Sequence, residues 1–129
     1  ISMLMFSHVV LGADDIPAAK TFYDAILTAL GHGAGMMTPD GNRIIYQSAT
    51  HPLLITKPLD GKPASLANGG TIGFSAPSRN AVDAFYAAAL ANGGSDAGAP
   101  GPREAIPGSY AAYVRDITGN KLVAWCVPA

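Results

Sequence analysis

Few groups in this chain can do chemistry, and their spacing narrows them further. His8 sits inside a short apolar run, Phe6 to Leu11 (FSHVVL). An imidazole there can act as a general base, as a ligand contact or as a metal donor. The plainer reading is a half-buried strand histidine hydrogen-bonded to a neighbour. His32 follows a helix stop, and His51 precedes Pro52 in a turn. Nothing in the spacing selects a site built from His8, His51 and Glu104. Arg103, in GAPGPRE, is a solvated loop arginine by default. Alternatively it closes over a cavity and meets an anionic or carbonyl group. Tyr46, Tyr110, Tyr113 and Trp125 lie in strand-like stretches, where aromatics are more often core than ligand platforms. Cys126 has no basic neighbour in sequence, so it is not expected to be a nucleophile. Phosphate loop, nucleophile elbow, zinc-type cysteine cluster and usefully spaced paired carboxylates are all missing.

The elements that must position these residues follow from local pattern. Tyr110 to Arg115 and Lys121 to Trp125 read as two strands around a Thr118-Gly119-Asn120 turn. Alternation puts Leu122 and Ala124 on one face and Lys121, Val123 and Trp125 on the other. Cys126 then faces away from Trp125, and only one of Tyr110 and Tyr113 shares the Val123 face. Upstream, Asp14 or Asp15 caps a helix with Pro17 in its first turn and Gly31 at its end. Arg43–Gln47 and Pro52–Thr56 read as strands, and Gly33–Thr38 as a weaker one. Lys57 to Gly70 has turn residues without periodicity and is the natural linker. Thr71 to Ala76 is a strand, and Ser78 caps a second helix packed through Val82, Phe85, Tyr86, Ala89 and Leu90. Asp96 to Gly108 reads as a Gly/Pro-rich loop with a very short strand near Arg103–Ile106.

The pattern occurs twice. At a shift of 63 residues (71 minus 8), Phe22 meets Phe85, Tyr23 meets Tyr86, Leu27 meets Leu90 and Gly31 meets Gly94. That period is too long for a solenoid. It points to one βαβββ unit used twice, each half hiding sheet surface against the other.

Bulk properties bound the rest. With 129 residues, 49% of them hydrophobic, the chain is one globular domain. A net charge of −1 with scattered Lys and Arg argues against nucleic acid and anionic membranes as partners. The single cysteine fits a reducing compartment, and no apolar run approaches spanning length. The start lacks a basic flank and cleavage site, so no signal peptide is expected, and a cytoplasmic location is the reading.

Two βαβββ units, Phe-Tyr on a helix before a terminal Gly, and Asp116-x-x-Gly119-Asn120 before the last strand resemble the vicinal oxygen chelate superfamily. This is the fold of glyoxalase I, the bleomycin-resistance proteins, the fosfomycin-resistance enzymes and the extradiol dioxygenases. The resemblance implies an α+β fold in which two βαβββ modules form a curved, cup-shaped mixed sheet with one main helix each. Module one covers about 5–57, the linker 58–70 and module two about 71–127. The ligand would sit in the cup.

In that family the metal donors come from the first and last strands of each unit. His8 falls on the first-strand position, Thr71 on its counterpart, and Val123 where metal-binding relatives usually have Glu. Leu53 to Thr56 supplies no carboxylate or imidazole. A catalytic divalent site needs about three protein donors around an open position, so no metal or other cofactor is predicted; Zn, Ni, Mn or Fe is disfavoured. The expected reading is a small-molecule binding or sequestering protein, with His8, Tyr46, Thr71, Arg103, Tyr113, Val123 and Trp125 around the cup. One alternative is a divalent metal-dependent lyase or dioxygenase of glyoxalase type. Another is a metal-free lyase or isomerase with His8 as its catalytic base. Open sheet edges in so short a chain favour a homodimer.

Overall fold

In a computed structural model, residues 3–127 are described. The first half runs β1 (Val9–Gly12), α1 (Ile16–Ala29), β2 (Met36–Met37), β3 (Arg43–Tyr46) and β4 (Leu53–Thr56). The second runs β5 (Thr71–Ser75), α2 (Arg79–Ala91), β6 (Ser95–Pro102), β7 (Tyr110–Arg115) and β8 (Lys121–Cys126). Each half is a four-stranded mixed sheet, ordered β1-β4-β3-β2 and β5-β8-β7-β6. In both, the first strand pairs in parallel with the last, and the remaining pairs are antiparallel. This α+β architecture of two repeated modules is the one the sequence pattern implies.

The helices form for the same local reasons in both halves. Asp15 caps α1 by accepting from the Ala18 N–H at 3.0 Å, and the Ser78 hydroxyl does so for Ala81 in α2 at 3.1 Å. Each helix ends before a glycine at φ +96°, Gly31 and Gly93. The stop is therefore offset by 62 residues (93 minus 31), one fewer than the strands and the packed Phe22 and Phe85. Both phenylalanines are fully buried in a single core cluster that spans the two modules.

The halves meet helix against helix, α1 on α2. A Cβ added at Gly94 would lie 2.6 Å from Phe22 Cε1 and 2.8 Å from the Arg115 carbonyl oxygen, so the absence of a side chain there permits the contact. The β7–β8 turn makes a second tie. Buried Asp116 accepts from the Tyr23 hydroxyl at 2.5 Å and from the Gly119 and Asn120 N–H groups and the Asn120 amide. Thr118 Oγ1 donates to the Gly12 carbonyl at 3.1 Å. Burial, and then the Asp116 carboxylate, push the Tyr23 hydroxyl well above its ordinary pKa, which keeps it a donor.

Two features depart from the sequence reading. Ser95–Pro102 is a full edge strand, where a loop was expected; Arg103–Ile106 lies outside it. Pro and Gly fit because β6 is an edge, with register irregularities between Asp96 and Gly98 and between Gly98 and Gly101. Leu90, expected on the packed face of α2, is 42% exposed, whereas Tyr86 does pack against the core and donates its hydroxyl to Asp96. Among the described residues no strand pair joins the two sheets, and each stays unclosed with one face free of helix.

Candidate functional site

Strand parity sorts each sheet into a helix-packed face and an open face. In the first sheet, Ile44 and Ile55 are fully buried beneath α1, with Leu53 and Tyr46 beside them. The alternate residues form a row across all four strands: Val10 beside Leu54, Leu54 beside Ile45, Ile45 beside Met36. Val10 is 48% and Met36 63% exposed, so this apolar row has no cover within the chain.

His8 lies just before β1, exposed, with its Nδ1 2.8 Å from the Ser7 hydroxyl. Tyr46 departs from the expected lining. It faces the helix side, 4% exposed, and its hydroxyl donates to Asp24 Oδ1 at 2.7 Å. Burial, reinforced by that carboxylate, raises its pKa far above the ordinary phenol value. The parity of β3 explains the placement: Tyr46 stands two residues from buried Ile44.

The open face of the second sheet collects the remaining candidates. One row runs Gly73, Val123, Tyr113, Gly98; a second runs Ser75, Trp125, Ala111, Gly101; a third begins Thr71, Lys121, Arg115. Tyr113 shares the Val123 face, and Tyr110 takes the other, where it donates to Asp83 on α2 at 2.7 Å. Cys126 is buried in the core, away from this face. Thr71 is exposed and Val123 nearly buried.

Arg103 reaches back from the turn after β6. Its guanidinium donates to the Ala99 carbonyl at 2.9 Å and to those of Gly98, Gly101 and Pro102 at 3.2–3.4 Å. Its Cζ stands 5.6 Å from the Tyr113 ring centroid, and Lys121 Nζ stands 5.0 Å from the same centroid. Tyr113 therefore carries two cations against its ring. Arg115 is fixed by donating to the Gly119 carbonyl at 2.9 Å. Lys121 and Arg115 are additions to the expected site; the signal for Lys121 was its shared parity with Val123 and Trp125.

The residues at the inherited coordination positions do not fit a divalent ion. Pairing makes Leu54 opposite Val10 the equivalent of Val123 opposite Gly73. The four positions are thus His8, Leu54, Thr71 and Val123, one imidazole and one hydroxyl among two aliphatic chains. Among the described residues no cluster of three His, Cys, Asp or Glu side chains could hold a metal. A groove of about 360 Å³ lies elsewhere, at the Arg43–Thr56 end of the first sheet, lined also by Asp40 and Lys57. Its carboxylate is committed, since Asp40 accepts from the Asn42 N–H and the Thr38 hydroxyl. Among the described residues, no helix is long and apolar enough to cross a membrane.

Comparison with known proteins bears on this geometry. Residues 5–123 match the family model of the Glyoxalase/Bleomycin resistance protein/Dioxygenase superfamily. None of the curated proteins compared matches significantly. A crystal structure of a glyoxalase/bleomycin resistance protein from Albidiferax ferrireducens is 44% identical, with 97% of this chain and 100% of that one covered, at a TM-score of 0.89. A glyoxalase-related enzyme from Fulvimarina pelagi (20% identity, 97% and 90% covered, TM-score 0.77) shares the fold. So does a lactoylglutathione lyase from Agrobacterium tumefaciens (22%, 98% and 96%, 0.67).

Proposed function

From a chain that belongs to the glyoxalase/bleomycin resistance protein/dioxygenase superfamily, we propose a metal-free small-molecule binding function, exercised by a homodimer. The observation that carries this reading is the pair of uncovered sheet faces. One presents the apolar row Val10, Leu54, Ile45 and Met36; the other presents Tyr113 and Trp125 among cations. A second copy that lays its first sheet over the second sheet of its partner removes the apolar row from water and encloses the aromatic face. Burial of exposed apolar surface drives such an association. The ligand then lies between an apolar wall and a polar one, the usual build of a small-molecule site.

Three measurements test it. Sedimentation equilibrium is expected to return twice the chain mass; a monomer at every concentration would remove the enclosing partner. Elemental analysis of purified protein is expected to find no stoichiometric metal. One equivalent of Zn, Ni, Mn or Fe would replace this reading with a metal-dependent lyase or dioxygenase. His8→Ala is expected to weaken ligand affinity only a few-fold. A turnover that falls by a factor of roughly 10² or more in that variant would instead make His8 the base of a metal-free lyase or isomerase.

A further inference from the structure

The open face of the second sheet holds three cations, Arg103, Arg115 and Lys121, and no carboxylate among the described residues. The chain as a whole carries nine Asp and Glu against eight Lys and Arg, so the segregation is not a matter of supply. Within the strands the sole acidic residue is Asp96, and it faces the helix side, where it accepts from Tyr86 at 3.0 Å. Glu104, next to Arg103 in sequence, forms no ion pair with it; among the described residues the one ion pair is Lys20–Asp24.

The placement is unfavourable for an empty face. Lys121 stands directly across from Arg115 in the β7–β8 ladder, and like charges at opposed positions destabilise a sheet. Arg115 and Arg103 are held by backbone carbonyls. The Lys121 ammonium has no hydrogen-bond acceptor among the described residues and rests against the Tyr113 ring. Two guanidinium groups are thus fixed in advance, and one flexible ammonium remains to meet a ligand.

We infer that the ligand of this face is a small organic anion with an apolar body, its charged group recognised by Lys121 between Arg103 and Arg115. The inference rests on the binding role proposed above and adds the ligand class. Charge-assisted contacts to an anionic group in a partly desolvated site are the strong class of hydrogen bond, and the anion would offset the Lys121–Arg115 repulsion.

A matched pair of fluorescent probes tests it: 1-anilinonaphthalene-8-sulfonate, and N-phenyl-1-naphthylamine, which has the same body without the sulfonate. The sulfonate is expected to bind the native protein at least roughly tenfold more tightly, with affinity falling as salt is added. K121M should erase that preference and K121R should retain it. With no probe present, K121M should melt at a higher temperature than the native protein, because the opposed charges are gone. Equal binding of both probes, unchanged in K121M, would overturn the anion inference and leave the small-molecule role standing. A lower melting temperature for K121M would make Lys121 a structural residue and overturn the inference too. Binding of neither probe, with no thermal shift, would overturn the binding role itself and this inference with it.

Discussion

The two modules share one topology and differ most where neither packs against a helix. On the first sheet, the open row is Val10, Leu54, Ile45 and Met36. On the second, the corresponding surface carries Tyr113, Trp125 and three cations. The buried faces have not diverged in this way: Phe22 and Phe85 remain equivalent and fully buried. Core packing constrains a repeated unit to stay alike, because lost volume costs stability on either side. An open face has no such constraint and is free to specialise.

The largest expected effect comes from the tie that makes the halves one folding unit. Asp116→Ala strands the Tyr23 hydroxyl and the turn amides, and should lower unfolding free energy by about 3 kcal/mol in urea titrations. A loss under about 1 kcal/mol would mean that helix packing alone joins the modules. Next, Leu54→Asp places a charge in the middle of the apolar row. It should weaken dimerisation by roughly a hundredfold in sedimentation experiments, near 2.7 kcal/mol. An unchanged association constant would deny the first sheet its proposed role.

Gly94→Ala is smaller, about 2 kcal/mol, because the new methyl meets Phe22 and two backbone carbonyls. At the 62-residue offset of the helix stops, its counterpart is His32, which is exposed, and His32→Gly should be close to neutral. Equal effects at the two positions would show that the helix ends are not asymmetric after all.

The smallest effect concerns pH and has no counterpart in the second module. Partial burial pushes the Asp24 carboxyl upward, but the Gly35 N–H, Lys20 and Tyr46 outweigh it and hold its pKa below the ordinary value. A lowered folded-state pKa gives stability that is complete above the unfolded value, about 3.9, and is lost as pH falls through the lower folded value. Asp24→Asn should therefore cost about 0.5 kcal/mol near neutrality, with the difference from the native chain closing under acid. A gap that persists in strong acid would trace the effect to packing.

Much of this was legible in residues. Asp15, Ser78 and Gly31 announced the helix ends, and the period-two alternation of Lys121 to Trp125 put Val123 and Trp125 on the open side and Cys126 inside. The side taken by Tyr46 was not legible, because β3 (RIIY) carries an isoleucine on each face and the tyrosine's partner Asp24 lies on a helix. The β6 edge was invisible because Pro and Gly oppose strand formation by local propensity, and pairing with β7 overrides it.

Arg103 has one more consequence. By taking four carbonyls of β6 onto its own guanidinium, it occupies acceptors that an incoming strand would need for cross-β growth. Loss of this arginine should therefore appear first as fibrillation or turbidity during storage, in a chain that still folds.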